Sequence, residues 1–388
     1  MDLSLTDEQQ AFRAAARDFL DREAVPHRQA WDDAESVDLE IVPKMAELGF
    51  FGLTIPEEHG GLGGDYVTYA LAMEELGRAD SALRGIVSVS SGLVGKSILF
   101  HGTDEQRAEW LPQLATAAKL GCFGLTEPGT GSDAGHLTAR AVRDGDDWLI
   151  TGQKLFITNG TWADVALVFA RTSTTDDGPR GVSAFLVPTD APGFEAREIK
   201  GKLGLRGQAT AELFLDDVRV PSSAMLGGPD AEGQGFKVAM GTLDKGRLAV
   251  AAGCVGIVQG CLEISVEFAT SRTQFGRPIA GFQLVQDMIA DISLDADAAR
   301  LLVWACADRI DRGEPFGVAA SKAKLFASEA AVRAANLAIQ VHGGAGYVND
   351  YPAAKYLRDA RVMTLYEGTS QIQKLLIGRA ETGISAFV

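Results

Sequence analysis

Apolar residues recur at helical spacing in the first and last thirds of the chain. Near the start, Thr6 and Gln9 match a capping box, and apolar positions then follow three or four residues apart. Similar Ala- and Leu-rich patterns predict early helices at 41–48, 66–77, 83–100 and 103–118, and late helices at 238–270, 282–312, 318–342 and 370–378. Because long amphipathic helices pack side by side, the last third should form a bundle.

The middle third has a different pattern. Short β-branched and aromatic runs predict a first strand near Gly121 and later strands at 148–150, 154–158, 165–170, 182–187 and 211–220. Asn159-Gly160 follows one of these runs and predicts a hairpin turn. The expected fold class is therefore mainly α with a β middle domain, divided into a helical N-terminal domain (1–120), a small β domain (121–232) and a C-terminal helical bundle (233–388).

Charge narrows the possible partners. The 388 residues include 36 Lys plus Arg against 52 Asp plus Glu, a net charge of −16. This balance argues against nucleic acid or an anionic membrane as the main partner. The four cysteines are scattered and have no ligand spacing with histidine, so we expect buried free thiols and neither a metal site nor a disulfide framework: Cys122, Cys254, Cys261 and Cys306.

The start of the chain, Met1-Asp2-Leu3-Ser4, has no basic region followed by an apolar one. No other stretch looks long and uncharged enough to span a bilayer. We therefore expect a cytoplasmic protein that does not contact a membrane.

A single carboxylate, Glu367, stands between apolar or aromatic residues and a predicted helix start, in Leu365-Tyr366-Glu367-Gly368-Thr369-Ser370-Gln371. Desolvation favours the neutral acid, so the pKa of Glu367 should be raised and its ionised form should be a strong base. Gly368 lets a ligand approach the backbone, and Thr369 or Ser370 can cap the helix. Taken alone, however, the segment fits an ordinary loop before a helix better than a catalytic site.

A second block, from Cys122 to Asp133, joins an apolar run to glycines and hydroxyl residues. The backbone N–H groups at Gly129 and Gly131, with the hydroxyls of Thr126 and Ser132, can bond the edge of a flat heteroaromatic ligand. An ordinary loop explains this block equally well. No G-x-G-x-x-G sequence opens a helix in a βαβ unit, which disfavours a nicotinamide cofactor on that fold.

Three further places carry charged groups or free amides. Asp244 and Arg247 lie three residues apart on a predicted helix and fit a surface ion pair as well as a ligand contact. Arg272 ends a predicted helix, where a guanidinium suits either a pyrophosphate or the helix dipole. The glycine-rich helix end after Gln340 offers amides to an anion.

In their order along the chain, these blocks resemble the acyl-CoA dehydrogenase family. The blocks are T-E-P-G-x-G-S-D at 126–133, K-x-x-I-T-N-G at 154–160, R-x-x-F-G at 272–276, Q-x-x-G-G at 340–344 and Y-E-G-T-S at 366–370. Each block alone is weak, but the combination is specific and extends from the first helix nearly to the last residue. The sequence is most similar to the short-chain, butyryl-type branch.

The resemblance implies a four-helix C-terminal bundle and a homotetramer with one FAD per subunit. The positions that would bind FAD are Phe123, Leu125, Thr126, Ser132, Phe156, Thr158, Arg272, Phe275, Gln283, Gln340, Gly343, Gly344, Thr369 and Gln371. In the family, the group around Arg272 holds the ADP half across a subunit boundary. The positions that match contacts to the acyl-CoA substrate are Ser132, Asp244, Arg247 and Gly368.

Glu367 matches the catalytic base of the family. By resemblance it removes the α-proton of a short- or branched-chain acyl thioester while the β-hydride passes to flavin N5, which gives the trans-2-enoyl thioester. Its backbone N–H and a flavin ribityl hydroxyl would stabilise the enolate oxygen. An electron-transfer flavoprotein would then reoxidise the FAD.

Two positions depart from patterns in the family. Position 156 is Phe where many relatives have Trp, which keeps an aromatic cover but removes an indole N–H. Some branches carry the base near Asp244, but that position is Gly246 here, which leaves Glu367 as the sole candidate. The alternatives are a flavin oxidase or monooxygenase, a dehydrogenase of acyl-carrier-protein thioesters, and a non-catalytic acyl-thioester binder; the acyl chain is left open.

Overall fold

The computed structural model describes residues 4–173 and 175–387, so the first three residues, on which the expectation of no leader segment rests, lie outside it. The helices are α1 Asp7–Glu23, α2 Arg28–Ala34, α3 Ile41–Glu47, α4 Tyr66–Ala79, α5 Ser81–Val87, α6 Lys96–His101, α7 Asp104–Ala115, α8 Gly235–Ser271, α9 Gln283–Asp311, α10 Gly317–His342, α11 Ala353–Met363 and α12 Ser370–Thr382. The strands are β1 Gly121–Gly124, β2 Arg140–Asp144, β3 Asp147–Thr158, β4 Val165–Arg171, β5 Val182–Pro188, β6 Phe194–Glu198, β7 Thr210–Pro221, β8 Thr273–Gln274 and β9 Arg277–Pro278.

The element order confirms the fold class: helices come first, a β domain follows, and long helices complete the chain. The capping box at Thr6 and Gln9 is present, with both reciprocal hydrogen bonds. Helices α2 and α11 and strands β2, β6, β8 and β9 were not predicted; all are short, and the longest of them, α11, has 11 residues. We retain the domain boundaries at residues 120 and 232 as a proposal.

The β domain is one sheet with the strand order β1-β4-β2-β3-β7-β6, and β5 pairs with β4. Strand β1 runs parallel to β4, and all four residues of β1 are buried. Strands β3 and β7 form a long antiparallel pair with two register shifts. The pairing places the loop after β1 next to β3, since Leu155 N–H donates to Thr126 O at 2.8 Å.

The predicted hairpin at Asn159-Gly160 is wrong. The runs at 148–150 and 154–158 belong to one strand, β3, which pairs with β2 and β7 but not with the next strand, β4. Asn159 does adopt a positive φ of 64°, but its side chain is buried and donates to Ile86 O and Gly121 O at 3.2 Å each. The Asn-Gly pair therefore joins the β domain to the N-terminal helices, a tertiary contact that local spacing does not reveal.

Helices α4 and α8 touch through glycines. A Cβ added to Gly77 would lie 2.2 Å from Gly253 O, and one added to Gly256 would lie 2.0 Å from Glu74 O. Only glycine permits backbones to approach this closely. The contact brings α5, which follows α4, onto α8, and the stem of Arg84 lies directly over Gly253.

Two helices that the sequence predicted, at 83–100 and 238–270, contradict the expectation that no stretch is long and uncharged enough to span a bilayer. Ser81–His101, which comprises α5, a π-helical segment at Ser88–Gly95 and α6, and Gly235–Ser271 both meet the length and composition of a membrane span. The expectation that no such stretch exists is therefore wrong. Of their apolar windows, 89% and 72% are buried inside the fold, as in core helices of globular proteins. The four cysteines are free and buried.

A buried lysine on α6 gives a stability prediction. Lys96 is 4% exposed and donates to Thr54 O, and within residues 4–173 and 175–387 no carboxylate lies within ion-pair distance of it. Burial, aided by the charge of Lys245, lowers the pKa of Lys96 to about 7. Between this value and the ordinary lysine value, the unfolded chain binds more protons than the folded one, so the wild type should gain stability as pH rises.

Lys96→Met removes this titration. We expect the unfolding free energy of the wild type, relative to this variant, to increase by on the order of 3 kcal/mol between pH 7 and pH 10. Urea unfolding of both proteins at the two pH values measures the change. Lys374→Met, at an exposed position, is the control and should leave the difference constant. An equal difference at both pH values would show that the Lys96 side chain is not desolvated.

Candidate active site

Glu367 lies in the loop between α11 and α12, against the middle of α8. Its φ is 51°, in the left-handed region that few non-glycine residues occupy. A Cβ added to Gly246 would lie 2.1 Å from Glu367 Oε2 and 2.9 Å from Leu93 Cδ2. The carboxylate therefore occupies the space that the missing Cβ leaves, between α8 and the π-helical segment.

The environment of Glu367 favours a basic carboxylate. Oε2 is buried and, among the described residues, has no hydrogen-bond partner. Burial raises the pKa of Glu367, while the charges of Arg84, Lys324 and Arg247 oppose that shift. The predicted direction holds, but part of the predicted cause does not: Leu365 is 48% exposed, whereas Tyr366 packs against the buried core.

The backbone N–H of Glu367 is available to a ligand. In the part of the chain that the structure describes, no carbonyl or side chain accepts a hydrogen bond from it. Its own carbonyl accepts from Gln373 Nε2 at 3.1 Å. The segment thus presents an unsatisfied donor and an unsatisfied acceptor within one residue.

Arg84 is an unforeseen member of the site. It is 1% exposed; Nη1 donates to Ser88 Oγ at 2.9 Å, Nη2 donates to the Tyr366 hydroxyl, and Nε is buried without a partner. Within the described residues it makes no ion pair with a carboxylate. A guanidinium has five N–H donors, so donors remain unused beside Glu367.

Asp244 and Arg247 do form an ion pair on α8, but not a surface one. Arg247 is 7% exposed, and its Nε is buried with no partner among the residues described. It lies one residue after Gly246, and its charge acts on Glu367. The pair therefore belongs to the same site as the carboxylate.

The loop from Leu125 to Asp133 is anchored by a buried ion pair. Lys154 Nζ lies 2.8 Å from Glu127 Oε1, and Glu127 also accepts from Thr138 and Ala139. The anchor leaves the glycines free, because a Cβ on Gly129 or Gly131 would meet no atom within 4 Å. Thr126 is half-buried and Ser132 is exposed. Phe123 and Leu125 share an apolar cluster with Leu93, which connects this loop to the Glu367 side.

Phe156 is turned outwards by a β-bulge. Lys154 pairs with Leu213 and Ile157 with Ala211, so two residues of β3 face one residue of β7. Phe156 has a φ of 60°, and its side chain is 64% exposed. Thr158, at the strand end, is half-buried. A bulge that exposes a large aromatic ring points to a planar partner.

A second region lies at the far end of α8. A cavity of about 450 Å³ is lined by Arg272, Gln340, Gly343 and Gly344, together with Phe268 and His342. Cβ atoms on Gly343 or Gly344 would meet nothing within 4 Å. The 26 residues from Gly246 to Arg272 rise about 39 Å along the helix, so this cavity and Glu367 are far apart within one chain.

The structure does not bring all the predicted FAD residues together in one chain. Phe275 is 94% exposed and Gln283 is exposed, and neither lines the cavity beside Arg272. Thr369 caps α12 by accepting from Ile372 N–H at 3.2 Å, and Gln371 is exposed in the first turn. Thr369 and Gln371 therefore lie next to Glu367 and Gly368 in the chain, and they do not line the cavity beside Arg272.

The buried carboxylate oxygen of Glu367, among helices, and the outward ring of Phe156, in the β domain, fit a flavin-dependent oxidoreductase. Sequence profiles of the N-terminal, middle and C-terminal domains of acyl-CoA dehydrogenases match residues 6–118, 122–218 and 233–382. The chain belongs to the acyl-CoA dehydrogenase family, and it is an oxidoreductase.

Three known proteins show the extent of the similarity. The probable acyl-CoA dehydrogenase YngJ of Bacillus subtilis is 44% identical over 98% of this chain and 99% of its own. The structure of butyryl-CoA dehydrogenase from Megasphaera elsdenii is 39% identical, with a TM-score of 0.95 over 98% of this chain and 100% of its own. Glutaryl-CoA dehydrogenase from Mycobacterium smegmatis in complex with FADH2 is 36% identical, with a TM-score of 0.94 over 99% and 97%.

The family is FAD-dependent, and the residues present fit that cofactor. The open glycine amides at Gly129 and Gly131 and the exposed ring of Phe156 suit the edge and face of a flat ring. The cavity beside Arg272 combines a guanidinium with two glycines, Gly343 and Gly344, whose missing side chains leave the backbone open to a ligand, as suits a diphosphate. The Gly343 N–H itself donates to Gln340 O.

Proposed function

We propose that the protein catalyses α,β-dehydrogenation of a short- or branched-chain acyl-CoA to the trans-2-enoyl thioester, with Glu367 as the base. The observation that carries this proposal is the contact of Glu367 Oε2 with Gly246, where a buried carboxylate oxygen has no partner among the described residues. Such an oxygen is ready to accept a proton from a substrate. Leu93 packs against α8 at Gly246, beside the carboxylate, and the resemblance to the short-chain branch supports a short acyl chain.

The residues around Glu367 and the loop after β1 then have separate roles in the proposed reaction. Ionised Glu367 removes the α-proton, and its backbone N–H donates to the thioester oxygen as negative charge develops there. Arg247 and Asp244 bind the thioester arm next to the base, Gly368 lets that arm approach, and Ser132 binds it from the β domain. The apolar cluster of Phe123, Leu125 and Leu93 excludes water.

FAD, when bound, accepts the hydride that leaves the β-carbon. The residues proposed to hold the flavin ring are Phe123, Leu125, Thr126, Ser132, Phe156 and Thr158, with Thr369 and Gln371 beside the base. The residues proposed to hold the ADP half are Arg272, Phe275, Gln283, Gln340, Gly343 and Gly344. We propose a homotetramer, as the resemblance implies. The rise of about 39 Å along α8 between Gly246 and Arg272 supports one part of that proposal, that the second group serves the FAD of a neighbouring subunit.

Anaerobic titration of the purified protein with a panel of acyl-CoA substrates tests the proposal. Straight and branched short chains should bleach the flavin absorbance fastest, and long chains should bleach it slowly. The proposed acceptor is an electron-transfer flavoprotein, working in the cytoplasm. A peroxide yield that matched substrate consumption in its presence would identify an oxidase instead, and faster bleaching by acyl-carrier-protein thioesters would change the carrier.

A second candidate substrate is a dicarboxylic acyl-CoA such as glutaryl-CoA. One of the similar solved structures is named a glutaryl-CoA dehydrogenase. The observation that favours it is the buried Arg84 guanidinium, which has unused donors and no carboxylate partner among the residues described. A terminal carboxylate of the acyl chain would accept hydrogen bonds from these unused donors.

Arg84→Gln separates the two candidates. If a terminal carboxylate binds Arg84, kcat/KM should fall about 10- to 100-fold more for glutaryl-CoA than for butyryl-CoA, the value of a charge-assisted hydrogen bond. The reactions of both substrates depend on Glu367, so the ratio of the two kcat/KM values is insensitive to any effect of Arg84 on that residue. An unchanged ratio would mean that Arg84 serves Glu367 alone.

A further inference from the structure

The carbonyl side of the Glu367 loop is held by two buried residues from separate helices. Lys324, on α10, has no exposed surface and donates from Nζ to Gly368 O at 2.8 Å. Gln373, on α12, is equally buried and donates from Nε2 to Glu367 O at 3.1 Å and to Gly368 O at 3.0 Å. Two consecutive carbonyls therefore accept three hydrogen bonds from inside the bundle.

The backbone that these donors hold is an unfavourable one. Glu367 has a φ of 51° and Gly368 a φ of 89°. The left-handed conformation costs a non-glycine residue roughly 1–2 kcal/mol and persists only where its surroundings enforce it. A Cβ on Gly368 would lie 2.6 Å from Gln373 Nε2, so the glycine also makes room for the amide donor.

We propose that Lys324 and Gln373 are positioning residues: together they hold Glu367 in its left-handed turn, so that its carboxylate faces Gly246 and its N–H faces the thioester. This inference rests on the proposed role of Glu367 as the base. The two carbonyls belong to the peptide planes on either side of Gly368, so fixing them fixes the φ and ψ angles of Gly368 and anchors the plane that follows Glu367. The ψ angle of Glu367 relates that plane to its side chain and N–H, so anchoring the plane restricts the direction of both. Neither residue contacts the substrate.

Lys324 has a second effect through its charge. Glu367 is faced by Arg84 from α5, Arg247 from α8 and Lys324 from α10, with Tyr69 from α4 and Tyr366 from its own loop. Lys324 is in turn faced by Cys254 and Arg247 from α8 and by Glu329 from its own helix. Burial lowers the pKa of Lys324 to about 8, so the ammonium is still charged at pH 7 and favours ionised Glu367.

Three variants separate position from charge. Lys324→Met removes both the donor and the charge, Lys324→Gln keeps a donor without the charge, and Gln373→Met removes donors only. Lys322→Met, on the same helix but exposed and paired with Glu381, is the matched control. All four should retain FAD absorbance, and single-turnover flavin reduction by butyryl-CoA is measured from pH 5.5 to 9.

We expect Lys324→Met to slow flavin reduction about 10- to 100-fold and to move the acid limb of its pH profile up by about one unit, because the base loses both its geometry and a stabilising charge. Lys324→Gln should show the shift with a smaller rate loss. Gln373→Met should lose rate without a shift, and Lys322→Met should match the wild type.

If the pH profile does not shift in either Lys324 variant, the inference is overturned and Lys324 has only a structural role. A lower melting temperature of these variants would not change that conclusion. If Lys324→Met does not fold, Lys324→Gln and Gln373→Met still decide. Failure of this inference is distinguishable from failure of the proposed function, because only the latter leaves Glu367→Gln active.

Discussion

Replacing Glu367 with Gln should give a yellow, FAD-containing protein that acyl-CoA does not bleach. The amide has nearly the same size as the carboxylate, so the turn against Gly246 is preserved, but the amide does not accept the α-proton. Loss of a general base costs about 10²- to 10⁴-fold in rate. Stopped-flow reduction of the flavin by butyryl-CoA under anaerobic conditions measures the effect, and bound FAD absorbance confirms that the cofactor site is intact.

The wild-type pH profile provides a second measure of the same group. Burial raises the pKa of Glu367, so the rate of flavin reduction should rise with pH through a value above that of an ordinary glutamate. This limb should disappear in Glu367→Gln. Glu381→Gln, at an exposed position on α12, is the control and should keep it. Reduction of the Glu367 variant at the wild-type rate would remove Glu367 from the chemistry.

The sequence predicted the fold and drew attention to Glu367 because both depend on local patterns. Long helices such as α8, α9 and α10 have continuous apolar periodicity, and Glu367 lies in a motif whose order along the chain is specific. The Asn159-Gly160 turn was misread for a related reason: the local pattern was correct for a positive φ, but the strand pairing was set by distant contacts with Ile86 and Gly121.

Of the three cations around Glu367, Arg247 was singled out in the sequence, but Arg84 and Lys324 were not, because they come from helices far apart in the chain. Arg84 reaches the site only because Gly77, Gly253 and Gly256 let α4 and α8 touch. Lys324 did leave a trace in the sequence, since it falls on the apolar face that buries Ala320, Ala327 and Ala331. A lysine on the buried face of a helix indicates that its ammonium group has a partner inside the protein. The sequence spacing does not identify that partner.

Some branches of the family carry a carboxylate at position 246, where this chain has glycine. In the structure, this glycine makes room for the Glu367 side chain. In Gly246→Ala the new Cβ would meet Glu367 Oε2 at 2.1 Å and Leu93 Cδ2 at 2.9 Å, both closer than van der Waals contact. The carboxylate is the flexible end of its side chain, so it moves while the helices stay in place. The variant should therefore fold and bind FAD, yet hold its base in the wrong position.

Misplacing a catalytic group by about 1 Å costs about 100-fold in rate, and we expect Gly246→Ala to lose at least that much in single-turnover flavin reduction. Gly241→Ala is the matched control, because Gly241 lies on the same helix and its added Cβ would meet no atom within 4 Å. Alanine favours a helix over glycine by up to about 1 kcal/mol, so the control should be fully active and slightly more stable. Equal activity of the two variants would mean that Glu367 does not work from its position against α8, since only one of the two methyl groups reaches it.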